Sequence, residues 1–310
     1  MFDIHTSIGY HGSIKLPDPT CTEVTLLSRE LAQIMGERFI QRTDVKAIQF
    51  HSGAYVPDNY AELKNPAPYQ PLGWLGRHVL AHIEGKHSYG HYMLDQNSMV
   101  KLFAFDIDLE TKGTWVEHPK WEDAQASGEF DNNELFDDNT KIHLCNPREI
   151  WHDRAAVGAR SWFKWQMSQL AHMFCRTIRD QLKLPCAAAY SGSKGIHVYG
   201  FTGPIPAQEA REGALLVLDI LGQFEPLRGE NFFRHKEGGA MGFPSFSIEV
   251  FPKQATIENK DGYGNLMRLP LGRNLKSTDP TFFLDLGAPL AQLKPHPDPV
   301  RLLTTGEPYL

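Results

Sequence analysis

Three short stretches carry side chains whose types and spacing suit phosphate chemistry. The first is Lys101–Glu110, KLFAFDIDLE, in which Asp106 and Asp108 stand one apolar residue apart. In a strand successive side chains alternate faces, so the two carboxylates emerge side by side while Phe105, Ile107 and Leu109 point the other way. Neighbouring carboxylates on a rigid element repel each other and are costly to desolvate, and a divalent cation relieves both costs. The same spacing fits an edge strand with two solvated acids, and the motif alone does not separate the readings.

The second stretch, Ser191–His197, reads SGSKGIH. Its glycines let backbone N–H groups approach phosphate oxygens, Lys194 neutralises their charge, and His197 adds a donor on the strand that follows. It is not a Walker loop, because the GxxxxGK(S/T) pattern is absent and a strand follows in place of a helix. A plain hairpin turn and a structural histidine fit it equally well in isolation. The third is Glu249, between Ile248 and Val250 in mid-strand, where an unpaired acid is expensive. A third metal carboxylate explains it, as does a salt bridge with a nearby Lys or Arg such as Arg268. Two acids, a basic glycine-rich turn and a third acid, each at a strand, are the parts that metal-assisted phosphoryl transfer needs.

The elements that must hold these parts follow from periodicity. Leu27, Leu31, Ile34 and Met35 recur at helical spacing within Thr25–Phe39. A short strand is expected before Ser52-Gly53, a proline-rich loop after it, and a second helix over Leu72–Glu84. Tyr92–Leu94, a turn at Asp95–Asn97 and the Asp106 strand read as a hairpin. The strongest helix signal is Phe163, Met167, Leu170, Phe174, Ile178 and Leu182, ended by Pro185. Residues 187–201 read as strand, turn and strand, and a helix runs from Pro206 through Leu221. An irregular stretch leads to a strand over 243–254, and 262–274 reads as turn, short strand and turn. From Lys294 the chain is proline-rich and expected to be a loose tail. The order predicts an α+β fold with a mostly antiparallel sheet and helices on one side.

A chain of 310 residues with 41 % hydrophobic and 22 % charged content reads as an ordinary globular protein with a sizeable core. No apolar run suits a membrane span and Met1–Gly12 lacks a signal-peptide pattern, so cytoplasm is the expectation. His143, Cys145, Cys175 and Cys186 match no zinc spacing, and buried free thiols are expected. The net charge of −6 is local: residues 105–140 carry −9 and the rest +3, so a polyanionic partner is not excluded. The acidic stretch over 111–150 reads as a surface insertion.

FAFDIDLE, YSGSKGIHVYGF and SIEVFPKQ, in that order and spacing, resemble the three motifs of the archaeo-eukaryotic primase superfamily, nearest its primase-polymerase branch from phages, plasmids and conflict or CRISPR-associated systems. The likeness extends to HIEGKHSYGHYML before the first motif and GNLMRLPLG after the third, covering residues 70–275. It implies an N-terminal α/β module packed on an RRM-like catalytic module, with the active site between them. One catalytic domain over 1–290 is then expected, divided near residue 100, with a tail over 291–310. The implied activity is template-directed nucleotidyl transfer with two Mg²⁺ or Mn²⁺ ions. Asp106, Asp108 and Glu249 would be metal ligands and catalytic residues. Ser191, Ser193, Lys194 and His197 would hold the triphosphate of a dNTP or NTP, and Arg268 would face the nucleotide or template. Lys253, Arg273, Arg77, His82, Lys86 and His87 are further candidates, and Tyr190 and Tyr199 flank the turn where a gate against ribose would sit. The implied partners are a single-stranded DNA template and primer, with a helicase or further domain in a longer protein, and no membrane. Two alternatives stand beside this: a metal-dependent nuclease or other DxD nucleotidyl- or glycosyltransferase, and a non-catalytic RRM-like nucleic-acid-binding module.

Overall fold

A computed structural model of the chain describes residues 21–58, 74, 76–110, 116–117, 144–145, 151, 157–236, 246–257, 262–288 and 293–308. Most of the expected acidic insertion, and of the proline-rich loop after residue 58, lies outside them. In chain order the elements are α1 (Cys21–Phe39), β1 (Ala47–Gln49), β2 (Tyr55–Pro57), α2 (Gly76–Ile83), β3 (Tyr89–Tyr92), β4 (Met99–Leu109), β5 (Val116–Glu117), β6 (Leu144–Cys145) and α3 (Val157–Gln181). There follow β7 (Cys186–Tyr190), β8 (Gly195–Pro206), α4 (Ala207–Leu221), β9 (Phe224–Arg228), β10 (Phe232–His235), β11 (Phe246–Phe251), β12 (Leu266–Arg268), β13 (Phe282–Phe283) and α5 (Pro299–Thr305).

The alternation around Asp106 builds the central strand of a seven-stranded sheet, ordered β13-β7-β8-β4-β11-β10-β9. The edge-strand reading of the two aspartates therefore falls. Phe103, Phe105, Ile107 and Leu109 are fully buried on one face, where the Phe105 ring meets Phe174 of α3 at 4.6 Å between centroids. The stripe Phe163, Met167, Leu170, Phe174 and Ile178 is fully buried on α3, as its spacing predicts, while Leu182, its last member, lies just past the helix and is half-buried. α4 covers the same face with Ala210, Ala214 and Leu218 and ends at Gly222, whose left-handed conformation returns its N–H to Leu218 O. The segment β4-α3-β7-β8-α4-β11, with sheet order β7-β8-β4-β11, is the βαββαβ arrangement of RRM-like modules. Every strand pairing among the described residues is antiparallel.

Helices on one side only is too simple a picture, because the opposite face is partly covered. Phe39, at the end of α1, sets its ring edge-on to Tyr199 at 5.0 Å and Phe201 at 5.3 Å on that face. It also reaches His91 of a second sheet, ordered β12-β3-β1-β2, at 6.2 Å. The expected hairpin between β3 and the Asp106 strand does not form: β3 pairs with β1 and β12, β4 with β8 and β11. Met93 and Leu94 are buried where the chain crosses between the sheets, and Asp95 fixes the turn by accepting from the N–H groups of Asn97 and Met99. The boundary near residue 100 is likewise not a clean cut, since Leu266–Arg268 completes the N-terminal sheet.

Two further expectations are corrected. The stretch after α4 contains the hairpin β9–β10, which widens the catalytic sheet beyond β11. The tail expected from Lys294 is not loose: it forms α5, capped by Asp298 and ended at Gly306, with Leu302 and Leu303 fully buried. Arg38 of α1 donates to Leu303 O at 2.9 Å and Thr304 O at 3.0 Å. Cys175 and Cys186 are free and buried, with the Cys186 thiol donating to Cys175 O. Among the described residues no helix is long and apolar enough to cross a membrane.

Candidate active site

Register brings the three motifs together. Asp106 of β4 lies directly opposite His197 of β8 on one side and Glu249 of β11 on the other, so three functional side chains form a row at the inter-strand spacing of roughly 5 Å. Asp108, two residues on, stands opposite Gly195 and Ser247 on the same face. The glycine is required there: a Cβ on Gly195 would meet Asp108 Oδ1 and Ile107 O at 2.3 Å. The carboxylates are recessed between the sheets yet open, with 28 % of the Asp106 and 36 % of the Asp108 side-chain surface exposed.

Each acid has a basic neighbour. Lys194 Nζ sits 3.1 Å from Asp108 Oδ2 and donates to Leu109 O at 2.9 Å. His197 Nε2 lies 3.4 Å from Asp106 Oδ1, and its Nδ1 is 3.0 Å from the Tyr199 hydroxyl. A carboxylate only accepts, so Nε2 carries a proton toward Asp106. Lys253 Nζ lies 2.5 Å from Glu249 Oε1, which makes Lys253 and not Arg268 the partner of Glu249.

The electrostatics separate the acids. Burial pushes Asp106 up, but His197, Lys194 and Arg268 together hold it below the ordinary carboxylate range. Burial and the Asp106 charge push Asp108 up to about 6 against the pull of Lys194. Burial raises Glu249 as well, opposed by Lys253. Asp108 thus bears the repulsion between the pair.

The Ser191–Lys194 turn is held from outside the cleft. Gly192 takes φ of +70°, and a Cβ there would meet Thr281 Cγ2 at 2.6 Å. Ser191 O accepts from Arg268 Nη2 and from Asn274 Nδ2 at 3.2 Å. Gly192 O accepts from the Ser277 hydroxyl, Ser193 O from the Tyr190 hydroxyl at 2.6 Å, and Lys194 O from Leu109 N at 3.0 Å. All four carbonyls of the turn are taken up by donors of the protein, so none is left as a bare acceptor to repel an anion. The buried Ser191 Oγ and Arg268 Nη1 have no hydrogen-bond partner among the described residues, a cost that a ligand acceptor would remove.

Some expected residues lie elsewhere. His82 is fully buried, with Nε2 3.1 Å from the carbonyls of Leu269 and Pro270 and Nδ1 accepting from Tyr89 N, so it braces the loop after Arg268 and does not reach a nucleotide. Lys86 is exposed and paired with Glu84, and Arg77 and Arg273 are exposed. Tyr199 is fully buried against His197 and presents no surface to a sugar, whereas Tyr190 is half-buried with its hydroxyl donating to Ser193 O. Asn274 was missed: it sits beyond the matching motifs, and only its contact with Ser191 O identifies it. His91 was missed too, a fully buried residue of β3 whose ring nitrogens both lack a hydrogen-bond partner among the described residues.

Among the described residues no group of three or more His, Cys, Asp and Glu is gathered closely enough to hold a metal ion. The family model "TOTE conflict system, Archaeo-Eukaryotic Primase domain" matches residues 32–306. No curated protein matches the chain. The match takes in all three motif strands, the N-terminal sheet and α5. On that coverage the chain belongs to the archaeo-eukaryotic primase domain family of TOTE conflict systems, a family of primase-like nucleotidyltransferases.

Proposed function

We propose that the chain is a DNA-directed primase-polymerase that joins a nucleoside triphosphate to a 3′-hydroxyl on a single-stranded template. The observation that carries this reading is the cross-strand row Glu249–Asp106–His197 with Asp108 beside it, flanked by the unpartnered donors of Ser191 and Arg268. Ser191, Ser193, Lys194 and Arg268 would bind the triphosphate, and the engaged carbonyls of the turn leave it without bare acceptors to repel an anion. His197 has both ring nitrogens engaged, by Asp106 and Tyr199, which supports a role in orienting Asp106 beside the phosphates. The 3′-hydroxyl gives up its proton to solvent as its oxygen bonds to the α-phosphorus, the bond from that phosphorus to the bridging oxygen breaks, and pyrophosphate leaves.

Asp106 and Asp108 fit a divalent ion: oxygen donors, side by side, with Asp108 destabilised by its neighbour's charge. Glu249 fits as a third donor once it exchanges Lys253. Two ions, Mg²⁺ or Mn²⁺, would supply Lewis-acid activation of the hydroxyl and neutralise charge on the phosphates. The test incubates the protein with a primed single-stranded template, dNTPs or NTPs and Mn²⁺. Lengthening that vanishes in Asp106→Asn and Asp108→Asn supports the reading; lengthening that survives both substitutions overturns the site. Digestion of an oligonucleotide without nucleotides, in place of lengthening, would make the chain a nuclease.

A further inference from the structure

The row of acids continues outward onto the β9–β10 hairpin. Phe232 of β10 lies directly opposite Glu249, one strand farther from Asp106, and its ring is half-buried. The Arg228 guanidinium stacks over that ring at 4.3 Å from the centroid. Lys253 Nζ approaches the same ring at 5.7 Å and the Phe251 ring at 4.7 Å. The two acids of the hairpin are occupied: Glu225 pairs with Arg234 and Glu230 with Arg211. Arg228 is exposed and has no carboxylate within ion-pair distance among the described residues. Lys253 meets Glu249 at 2.5 Å and becomes available to a phosphate when Glu249 turns to a metal ion, whereas Arg228 is open to solvent as it stands. An aromatic face with an arginine and a lysine beside it is the chemistry that takes a nucleotide base and its phosphate.

Position selects the occupant. The Ser191–Lys194 turn lies across β8 on one side of Asp106, and Phe232 lies across β11 on the other. If the triphosphate of the incoming nucleotide occupies the turn, the strand that offers its 3′-hydroxyl to the aspartates approaches from the opposite side. We infer that Phe232, Arg228 and Lys253 form a platform for the 3′-terminal part of the growing nucleic-acid strand, with a base stacked on Phe232 and backbone phosphates on the two bases. This assignment rests on the polymerase reading for the identity of the strand, but the contact is a binding site in its own right. The strand's 3′ end then lies about two inter-strand spacings, roughly 10 Å, from its stacking contact.

The test measures binding of a labelled single-stranded oligonucleotide by fluorescence anisotropy, with chelator present and no nucleotide, so that neither metal nor turnover enters. Phe232→Ala and Phe232→Leu each weaken binding about tenfold while Phe232→Trp retains it. Arg228→Gln weakens binding and lowers the slope of log affinity against log salt by about one. Unchanged affinity in Phe232→Leu, or a blunt duplex that competes as well as the single strand, overturns the platform. Thermal melting of each variant separates loss of contact from loss of fold, and Phe232→Leu keeps the apolar contact should Phe232→Ala fail to fold. Primer extension separates the two proposals. Phe232-dependent binding with no extension overturns the polymerase reading alone, and extension by Phe232→Leu with an unchanged KM for primer overturns the platform alone.

Discussion

Asp106 and Asp108 share a strand face but not an environment, and their difference is measurable. The folded protein holds Asp108 at about 6 because burial and Asp106 both disfavour its charge, whereas the unfolded chain holds it near 3.9. The native state therefore binds the extra proton between about pH 4 and 6, and its stability falls as pH rises through that window. Asp108→Asn removes the repulsion. Its expected effect on the metal-free protein is a higher melting temperature than wild type above pH 6, with the gain vanishing below about pH 4; melting curves across that range check it. In extension assays Asp106→Asn and Asp108→Asn each lower the rate by at least about 100-fold, since even groups that only orient a metal ligand cost 10- to 100-fold. Gly195 is the complementary case, a residue that acts by having no side chain. Gly195→Ala drives a methyl against Asp108 and the β4 backbone, and a loss of about 1–3 kcal/mol in denaturant unfolding, with loss of extension, is expected.

At the scale of elements, the paired acids were legible because a strand has a period of two and a turn advertises its glycines. Asp106, Asp108, Glu249 and the SGSKGIH turn all fall where local pattern puts them, and cross-strand register then aligns them. What pattern does not encode is which strand pairs with which. Tyr89–Leu94 and the Asp106 strand are joined by a tight turn, yet they belong to different sheets, because the buried Met93 and Leu94 carry the chain across the interface. Among the Lys and Arg side chains that could meet Glu249 the structure selects Lys253, four residues away, because Arg268 lies on β12 of the other sheet and reaches Ser191. The β9–β10 hairpin was missed because the alternation of Phe224, Phe232 and Phe233 is brief and interrupted by Gly229 and Asn231. α5 was masked by its prolines, although Pro299 is a favoured opening residue for a helix. Leu302→Ala is expected to cost about 2–5 kcal/mol in denaturant unfolding, against near zero for an exposed residue of a loose tail.

The molecule as a whole keeps neutral histidines between its layers. Burial pushes His82 down to about 4 and His91 to about 3, whereas in the unfolded chain both take a proton near 6.5. Below that value the unfolded state binds protons that the native state refuses, so stability falls as pH falls from about 6.5 toward 4. His91→Phe removes one of these sites and two unpartnered ring nitrogens beside Phe39; its melting temperature is expected to decline less steeply than wild type over the same range. The other molecule-wide feature is that segments late in the sequence complete α1 and the sheet begun by β1. β12 supplies an edge to the sheet that β1, β2 and β3 start, and Arg38 is tied to carbonyls 265 and 266 residues later. A nascent chain therefore lacks the partners of α1 and of the β1-β2-β3 sheet until residues 266–304 have been made. Such distant closures make folding slow and late. Refolding is expected to restore the near-ultraviolet signal of the aromatic interface and protease resistance in one step, and a fragment ending before β11 to remain protease-sensitive throughout.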